Sequence, residues 1–400
     1  MKQHTAPFIE RYHHGLSSHV ESTLLRIGFC RTAPMNGRVY RCPSCDAQVP
    51  LYNSCTDRHC PQCMGARRAD WVDHTAQLLR AETAYFQVVF TIPDKLSSLV
   101  LGNRRLLYRL LFRSAASALQ RSIGAECGRQ AASTMVLHTW NQRLGHHPHV
   151  HALVPGSGPS LDATRWVPCR YTQATRQKPA RPFLVDNKEL GRRFRDSYLR
   201  GVRRLLKAGL LEIDDLPQIA TLLDDVQACD WVVYIQPPPT ETSDPADVLK
   251  YLARYMTGGP ISDRRLIEMK DGRVYFWARS KDKSGRQVPV SLPTLEFMRC
   301  WTLHILPKGF TKSRCYGGWS NTRRQAYQQQ CDRLQPPPPS TAAELPDRPK
   351  PDSESPPDET VTCPHCQTEM ELESHTRRPS WRELFYGPDH PRWMEWRGSG

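Results

Sequence analysis

Apolar residues fall into short runs that stop at proline or polar sequence, which is the pattern of buried strands. The clearest run, residues 85–92, reads YFQVVFTI and ends before Pro93. Comparable strands are predicted at 134–140, 147–154, 231–235, 273–279 and 286–291. Helical periodicity and helix-capping residues predict helices over 1–30, 95–122, 188–208, about 244–258 and 293–306. Together these elements favour an α+β fold with a mostly antiparallel sheet.

The charge balance narrows the class of partner. The chain of 400 residues carries 55 Lys and Arg against 40 Asp and Glu, a formal net charge of +15. This favours a polyanionic partner, nucleic acid before membrane. The sequence shows no apolar stretch near the ~20 residues of a membrane span, no apolar signal-peptide core and no Walker A pattern. We therefore expect a cytoplasmic, nucleoid-associated protein with no membrane and no nucleotide triphosphate among its partners.

Cysteine spacing predicts a zinc site near the N-terminus. Cys42-x2-Cys45 and Cys60-x2-Cys63 are two knuckles, each able to present two thiolates to one tetrahedral ion. We expect these four sulfurs to hold one structural Zn²⁺. Cys55 and His59, which lie between the knuckles, could replace one ligand or bind a second ion. Two neighbouring arginines, Arg67 and Arg68, are candidates for DNA contact, or else form a solvated face.

A further knuckle, Cys363-Pro364-His365-Cys366, lies near the C-terminus. It has no CxxC partner downstream. It could recruit His375 or another site, or bind no metal at all. The sequence leaves its role open.

A histidine-rich strand supplies a second candidate metal site. His149 and His151 lie two residues apart, so both side chains face one side of an extended strand. Val150, Ala152 and Val154 face the other side and would pack against helices. If 134–140 and 149–154 form a hairpin around 141–148, His138 falls opposite His151 and becomes our first choice of third ligand. Weaker choices are His147, Asn141, Gln142 and Asp247. Alternatively, the strand is a polar edge with solvated histidines.

Two tyrosines, Tyr251 and Tyr255, lie four residues apart in a predicted helix and therefore share one face. Tyrosines at this spacing commonly pack in a core. Behind a histidine metal motif in a basic protein, however, they are also candidate nucleophiles, since a phenolic oxygen can attack a polarised phosphate. Lys250 and Arg254 beside them could hold phosphate groups.

The ordered set of motifs resembles one known family. It comprises the four cysteines, VVFTIP at 88–93, LHTW at 137–140, HPHVH at 147–151, YLARY at 251–255 and LPKGF at 306–310 with Tyr316-Gly317. In this order they resemble the rolling-circle transposases of the insertion-sequence ninety-one family, part of the HUH endonuclease group (His, hydrophobe, His).

The resemblance implies a palm-like, ferredoxin- or RRM-like antiparallel sheet flanked by helices, behind a small zinc-ribbon-like domain. It implies that His149 and His151 bind the catalytic divalent ion. With His138, or else His147, as the third ligand expected from the hairpin, this ion would be Mg or Mn. It also implies that Tyr251 and Tyr255 cut single-stranded DNA at transposon ends and target, through a 5′-phosphotyrosine intermediate. Rolling-circle DNA transposition would be the function.

The expected domain order follows from these motifs. We predict an N-terminal helix and zinc-binding domain over 1–75, a catalytic domain over 80–330, a disordered Pro-rich linker over 331–362 and a short tail over 363–400. Two alternatives remain at this stage. The chain could be a non-catalytic zinc-ribbon nucleic-acid-binding protein, or an inactive transposase remnant that binds element ends.

Overall fold

The structure is a computed structural model, and it describes residues 2–80, 83–175, 179–213, 215–238, 259–280, 285–335 and 360–386. The helix predicted over about 244–258 and three quarters of the predicted linker 331–362, namely 336–359, lie outside these residues. The first four residues of that predicted linker are helical, at the end of the helix Arg324–Leu334. The described α-helices are α1 Thr5–Tyr12, α2 Ser18–Phe29, α3 Met64–Ala76, α4 Ser97–Gly102, α5 Arg104–Cys127, α6 Asn187–Lys207, α7 Leu216–Ala228, α8 Thr294–Thr302, α9 Arg324–Leu334 and α10 Trp381–Tyr386.

The described strands are β1 Gly37–Arg41, β2 Gln48–Tyr52, β3 Tyr85–Thr91, β4 Ala132–Trp140, β5 His146–Pro155, β6 Gly158–Pro159, β7 Trp166–Val167, β8 Arg170–Tyr171, β9 Pro182–Phe183, β10 Val233–Gln236, β11 Leu266–Lys270, β12 Arg273–Arg279, β13 Gln287–Pro293, β14 Ser313–Gly317 and β15 Glu371–His375. Every named sheet is antiparallel. The prediction of an α+β protein with antiparallel sheets is therefore confirmed.

The chain divides into two compact units. The described residues within 1–67 and 339–400 form the first, and those within 68–338 form the second. In the first unit, α1 packs against α2, and a three-stranded sheet has the order β15-β1-β2. Because β15 pairs with β1, the segment that we predicted as a separate tail is part of the N-terminal unit.

The second unit is built on a five-stranded sheet of order β10-β3-β5-β4-β14. The helices α5 and α6 pack against each other, α5 against β4 and β5, and α6 against β10. A separate three-stranded sheet, β11-β12-β13, packs with α8 around Phe276 and Phe297.

Strand alternation decides what each face of the five-stranded sheet carries. Val88 and Phe90 of β3, with Val150 and Ala152 of β5, belong to the core that includes α5 and α6, and none of the four has any exposed surface. This confirms the predicted apolar side of the histidine strand.

The neighbouring residues in sequence, such as Gln87 and His149, face away from that core. At one end of this opposite face a second apolar cluster forms around Tyr85, Leu153 and Trp319. The histidines occupy the other end.

Candidate active site and metal centres

Three histidines converge on the polar face of the sheet. His138 on β4 lies directly opposite His149 on β5, and His151 follows on the same face. Their ring centroids are 5.4 Å (His138 to His149), 4.5 Å (His138 to His151) and 5.0 Å (His149 to His151) apart. One ring nitrogen from each lies within 4.8 Å of the others. Three imidazoles on one ion would bring these nitrogens to about 3.3 Å apart for metal–nitrogen bonds near 2.05 Å, so each pair must close in by about 1.5 Å at most.

The hairpin register differs from the predicted one by two residues. The sequence predicts His138 opposite His151, but the structure pairs His138 with His149, and His151 pairs with Val136. The cause is a tight turn: the Asn141 side-chain oxygen accepts the backbone N–H groups of Arg143 and Gly145, both at 2.9 Å. Strand β5 therefore starts at His146. A shift of two leaves every side chain on its original face, so the histidine set is unchanged.

The tautomer of His149 suits metal binding. Its Nδ1 lies 2.7 Å from the carbonyl oxygen of His147, so Nδ1–H donates there and leaves the lone pair of Nε2 available. Burial lowers the pKa of His149 to about 4. At neutral pH the imidazole is therefore uncharged, which is the form that binds a metal.

His151 has a buried partner that sequence reasoning missed. The side-chain Nε2 of Gln87, on β3, lies 2.8 Å from His151 Nδ1. Gln87 is 6% exposed, and its Oε1 is buried with no hydrogen-bond partner among the described residues. Exchanging the amide oxygen and nitrogen lets Oε1 accept a hydrogen bond from His151 Nδ1–H. Nε2 of His151 would then carry the lone pair, as a metal ligand requires.

Among the described residues, the weaker third-ligand choices are not part of this group of three. His147 is outside the group of three, and its Nδ1 lies 2.6 Å from Asp94 Oδ1. Asn141 caps the hairpin turn, and Gln142 accepts a hydrogen bond from Arg265 through its backbone carbonyl. Asp247 lies outside the described residues. The geometry therefore favours His138 as the partner of His149 and His151.

A cation and an aromatic ring border the histidines. The ring of Trp140 stacks on His138 with centroids 4.4 Å apart. Lys312 Nζ lies 5.3 Å from the centroid of Trp140. The pKa of His151 falls to about 3, first through burial and also through the charges of His149 and Lys312. Lys312 carried no signal in the sequence, because it comes from the loop before β14 and only pairing of β14 with β4 brings it here.

The cysteines form two clusters, which corrects the predicted single site of Cys42, Cys45, Cys60 and Cys63. The first cluster joins the knuckle Cys60–Cys63 to Cys55 and Cys30. Cys63 Sγ lies 3.6 Å from both Cys30 Sγ and Cys55 Sγ. Four sulfurs on a tetrahedral Zn²⁺ with bonds of 2.3 Å lie about 3.8 Å apart, so this set fits zinc. Burial raises the pKa of Cys30 to about 11, an effect that a coordinated ion reverses.

His59 lies outside the first cluster, with Nδ1 3.0 Å from Asp57 Oδ1. The second cluster joins Cys42 and Cys45 to Cys363 and Cys366. The partner of the C-terminal knuckle is therefore the upstream knuckle Cys42–Cys45 rather than a CxxC downstream.

The remaining predicted site residues are the DNA contacts and the nucleophiles. Arg67 and Arg68 lie in α3. Lys250, Tyr251, Arg254 and Tyr255 lie outside the described residues. Their assignments stay predictions from the sequence.

Comparisons with known proteins identify the class as transposase. A family profile described as "Putative transposase" matches residues 133–326, and one described as "Transposase zinc-binding domain" matches residues 1–92. The "Putative transposase y4qJ" of Sinorhizobium fredii (strain NBRC 101917 / NGR234) is 37% identical over 336 residues, which cover 80% of each chain.

A second relative is the "Transposase for insertion sequence element IS801" of Pseudomonas savastanoi pv. phaseolicola. It is 27% identical over 319 residues, covering 77% of this chain and 72% of the relative. No solved structure matches. The chain belongs to the insertion-sequence ninety-one family of transposases.

Family membership gives the coarse function. The chain is a DNA-processing enzyme with DNA as its partner, and its zinc-binding domain and cysteine clusters support structural zinc. The comparisons do not favour the non-catalytic alternative. No helix among the described residues is both long and apolar enough to cross a bilayer.

Proposed function

We propose that this transposase cuts and rejoins single-stranded DNA at element ends by an HUH-type mechanism, in rolling-circle transposition. The observation that carries the proposal is the convergence of His138, His149 and His151 within 4.8 Å on one sheet face. The five-stranded sheet would be the palm, since its histidine strand β5 is central in the order β10-β3-β5-β4-β14.

The chemistry divides between the histidines and the tyrosines. When bound at the histidines, a divalent cation such as Mg²⁺ or Mn²⁺ would polarise the scissile phosphate. Tyr251 or Tyr255 loses its phenolic proton and attacks phosphorus. The bond to the 3′ oxygen breaks, the freed strand leaves with a 3′-OH, and the other strand stays attached through a 5′-phosphotyrosine. Attack by a new 3′-OH reverses the step, so no nucleotide triphosphate is required.

Other residues would position the strand. The ammonium of Lys312 borders the histidines and would contact the scissile phosphate or its neighbour. Lys250 and Arg254 flank the nucleophiles in sequence and would hold phosphates beside them. Arg67 and Arg68 would add contacts to DNA from the zinc-binding domain, with affinity that falls as salt rises.

A cleavage assay tests the proposal. Single-stranded oligonucleotides that span both ends of the encoding element are end-labelled and incubated with the protein and Mg²⁺ or Mn²⁺. We expect a covalent protein–DNA adduct that is lost under chelation and in the Tyr251→Phe/Tyr255→Phe double variant. Tyr171→Phe, at a side chain 60% exposed, is the matched control and should retain the adduct. Binding of both ends with no adduct in any metal would contradict the proposal.

A further inference from the structure

The knuckle near the C-terminus faces the first knuckle of the N-terminal unit. Cys42 Sγ lies 3.4 Å from Cys366 Sγ, and Cys45 Sγ lies 3.5 Å from Cys363 Sγ and 3.7 Å from Cys366 Sγ. All four sulfurs lie within 4.8 Å of one another. A tetrahedral Zn²⁺ with four thiolates requires separations of about 3.8 Å. The four atoms are therefore arranged around the volume of one ion.

The two knuckles share one backbone geometry. Both read Cys-Pro-x-Cys: Cys42-Pro43-Ser44-Cys45 and Cys363-Pro364-His365-Cys366. In the first, Asp46 N–H donates to the Cys42 carbonyl at 3.0 Å, and Asp46 has φ +58°. In the second, Gln367 N–H donates to the Cys363 carbonyl at 2.9 Å, and Gln367 has φ +60°. Matching turns on both sides are what a two-knuckle zinc ribbon needs.

The surrounding elements hold the knuckles together. Strand β1 leads into the first knuckle, β15 follows the second, and the two strands pair antiparallel. Arg41 Nη2 on β1 lies 2.6 Å from Glu373 Oε1 on β15. Tyr40, Cys42, Cys363 and Met370 form one small buried cluster beneath the sulfurs. The C-terminal segment is thus built into the N-terminal sheet and core.

We propose that Cys42, Cys45, Cys363 and Cys366 bind a second structural Zn²⁺, which joins the C-terminal segment to the N-terminal unit. Half of this site lies beyond residues 1–92, the range matched by the zinc-binding domain. All four ligands of this zinc ion are present only after residue 366 has been synthesised. A chain cut within the segment 336–359 keeps the whole region 133–326 matched by the transposase profile yet loses this ion. The inference does not depend on the proposed cleavage mechanism.

Zinc stoichiometry in paired variants tests whether the four cysteines share one ion. The full chain carries His149→Ala throughout, so that an ion at the histidines is not counted. We expect two zinc ions per chain, and one in Cys42→Ser/Cys45→Ser and in Cys363→Ser/Cys366→Ser. The quadruple variant should also retain one, because all four substitutions remove the same ion. Cys229→Ser/Cys300→Ser, outside both clusters, should retain two.

Several outcomes would overturn the inference. One ion per chain that survives Cys363→Ser/Cys366→Ser would return the zinc to a single N-terminal site. Loss of both ions in the quadruple variant, with the first cluster intact and the chain folded, would mean that the two knuckles bind separately.

Maleimide labelling of the wild-type chain tests the same site without substitutions that could prevent folding. Cys45, Cys366 and Cys229 are all exposed. With zinc bound, we expect maleimide to label Cys229 quickly and Cys45 and Cys366 at least about tenfold more slowly, and chelation should abolish the difference. Equal labelling before chelation would overturn the inference. So would labelling that requires a reductant, since that would mean two disulfides in place of the ion.

Discussion

Replacing the buried amide of Gln87 tests most specifically how the histidine site is assembled. Gln87→Met keeps the approximate volume and burial of the side chain but removes the group 2.8 Å from His151 Nδ1. Partners of metal-bound histidines typically contribute about 10–100-fold in metal affinity. That corresponds to about 1.4–2.7 kcal/mol in binding free energy. Because the change also removes the other buried amide atom, which has no hydrogen-bond partner among the described residues, we expect little loss of fold stability.

The assay is calorimetric titration of Mn²⁺ or Co²⁺ into protein whose cysteine clusters already hold zinc. Gln87→Met should weaken binding by about 10–100-fold. Gln87→Glu should retain it, since a carboxylate can accept the His151 Nδ1–H bond. Gln325→Met, at an exposed position on α9, is the matched control. Wild-type affinity in Gln87→Met, with an unchanged melting temperature, would refute a role for the amide in orienting His151.

Three further predictions concern the same unit. His138→Ala should reduce metal affinity by at least about 100-fold, while His147→Ala should change it little. A loss in His147→Ala with none in His138→Ala, in the same titration, would make His147 the third ligand. Lys312→Ala should slow cleavage of labelled single-stranded DNA by about 100-fold, and Lys312→Arg should be partly active. Unchanged single-turnover rates in Lys312→Ala would mean that Lys312 has no role in cleavage. Burial lowers the pKa of His304 from 6.5 to about 3. As the pH falls below 6.5, the unfolded chain therefore takes up a proton at this histidine while the folded chain does not. The free energy of unfolding decreases accordingly. By pH 5 the contribution of His304 alone lowers the free energy of unfolding by about 2 kcal/mol, measured by denaturant titration. His149 and His151, which are also buried with lowered pKa values, add to the same slope. His304→Asn should make the slope shallower by about that amount and the exposed His74→Gln should not, and parallel slopes for all three proteins would contradict the argument.

Strand alternation made the sheet and the histidine face predictable. The run from Tyr85 and the alternation of Val150, Ala152 and Val154 with histidines fix which side of each strand is buried, because side chains on a strand alternate between faces. The register between β4 and β5 could not be predicted from the sequence alone. It depends on the turn around Asn141, where side-chain capping and a positive φ of +64° at Leu144 shorten the loop.

Cysteine spacing predicted zinc but not the grouping of its ligands. A CxxC knuckle has the same local geometry whichever partner it meets, so sequence distance does not reveal which two share an ion. Cys30 ends helix α2 without any motif, and Cys363 is 318 residues from Cys45. Only the folded first unit brings each set together. Gln87 and Lys312 were missed for the same reason, since each reaches the histidines through strand pairing rather than through a sequence pattern.

In the proposed mechanism a tyrosine of the pair becomes covalently linked to DNA, and digestion with trypsin can show which one. Cleavage after Lys250, Arg254 and Arg264 separates the tyrosines into peptides 251–254 and 255–264. The adduct formed on an element end is digested with trypsin and nuclease and analysed by mass spectrometry. We predict a 5′-phosphonucleotide on peptide 251–254, on 255–264, or on both. A covalent adduct whose nucleotide lies on neither peptide would contradict the tyrosine mechanism.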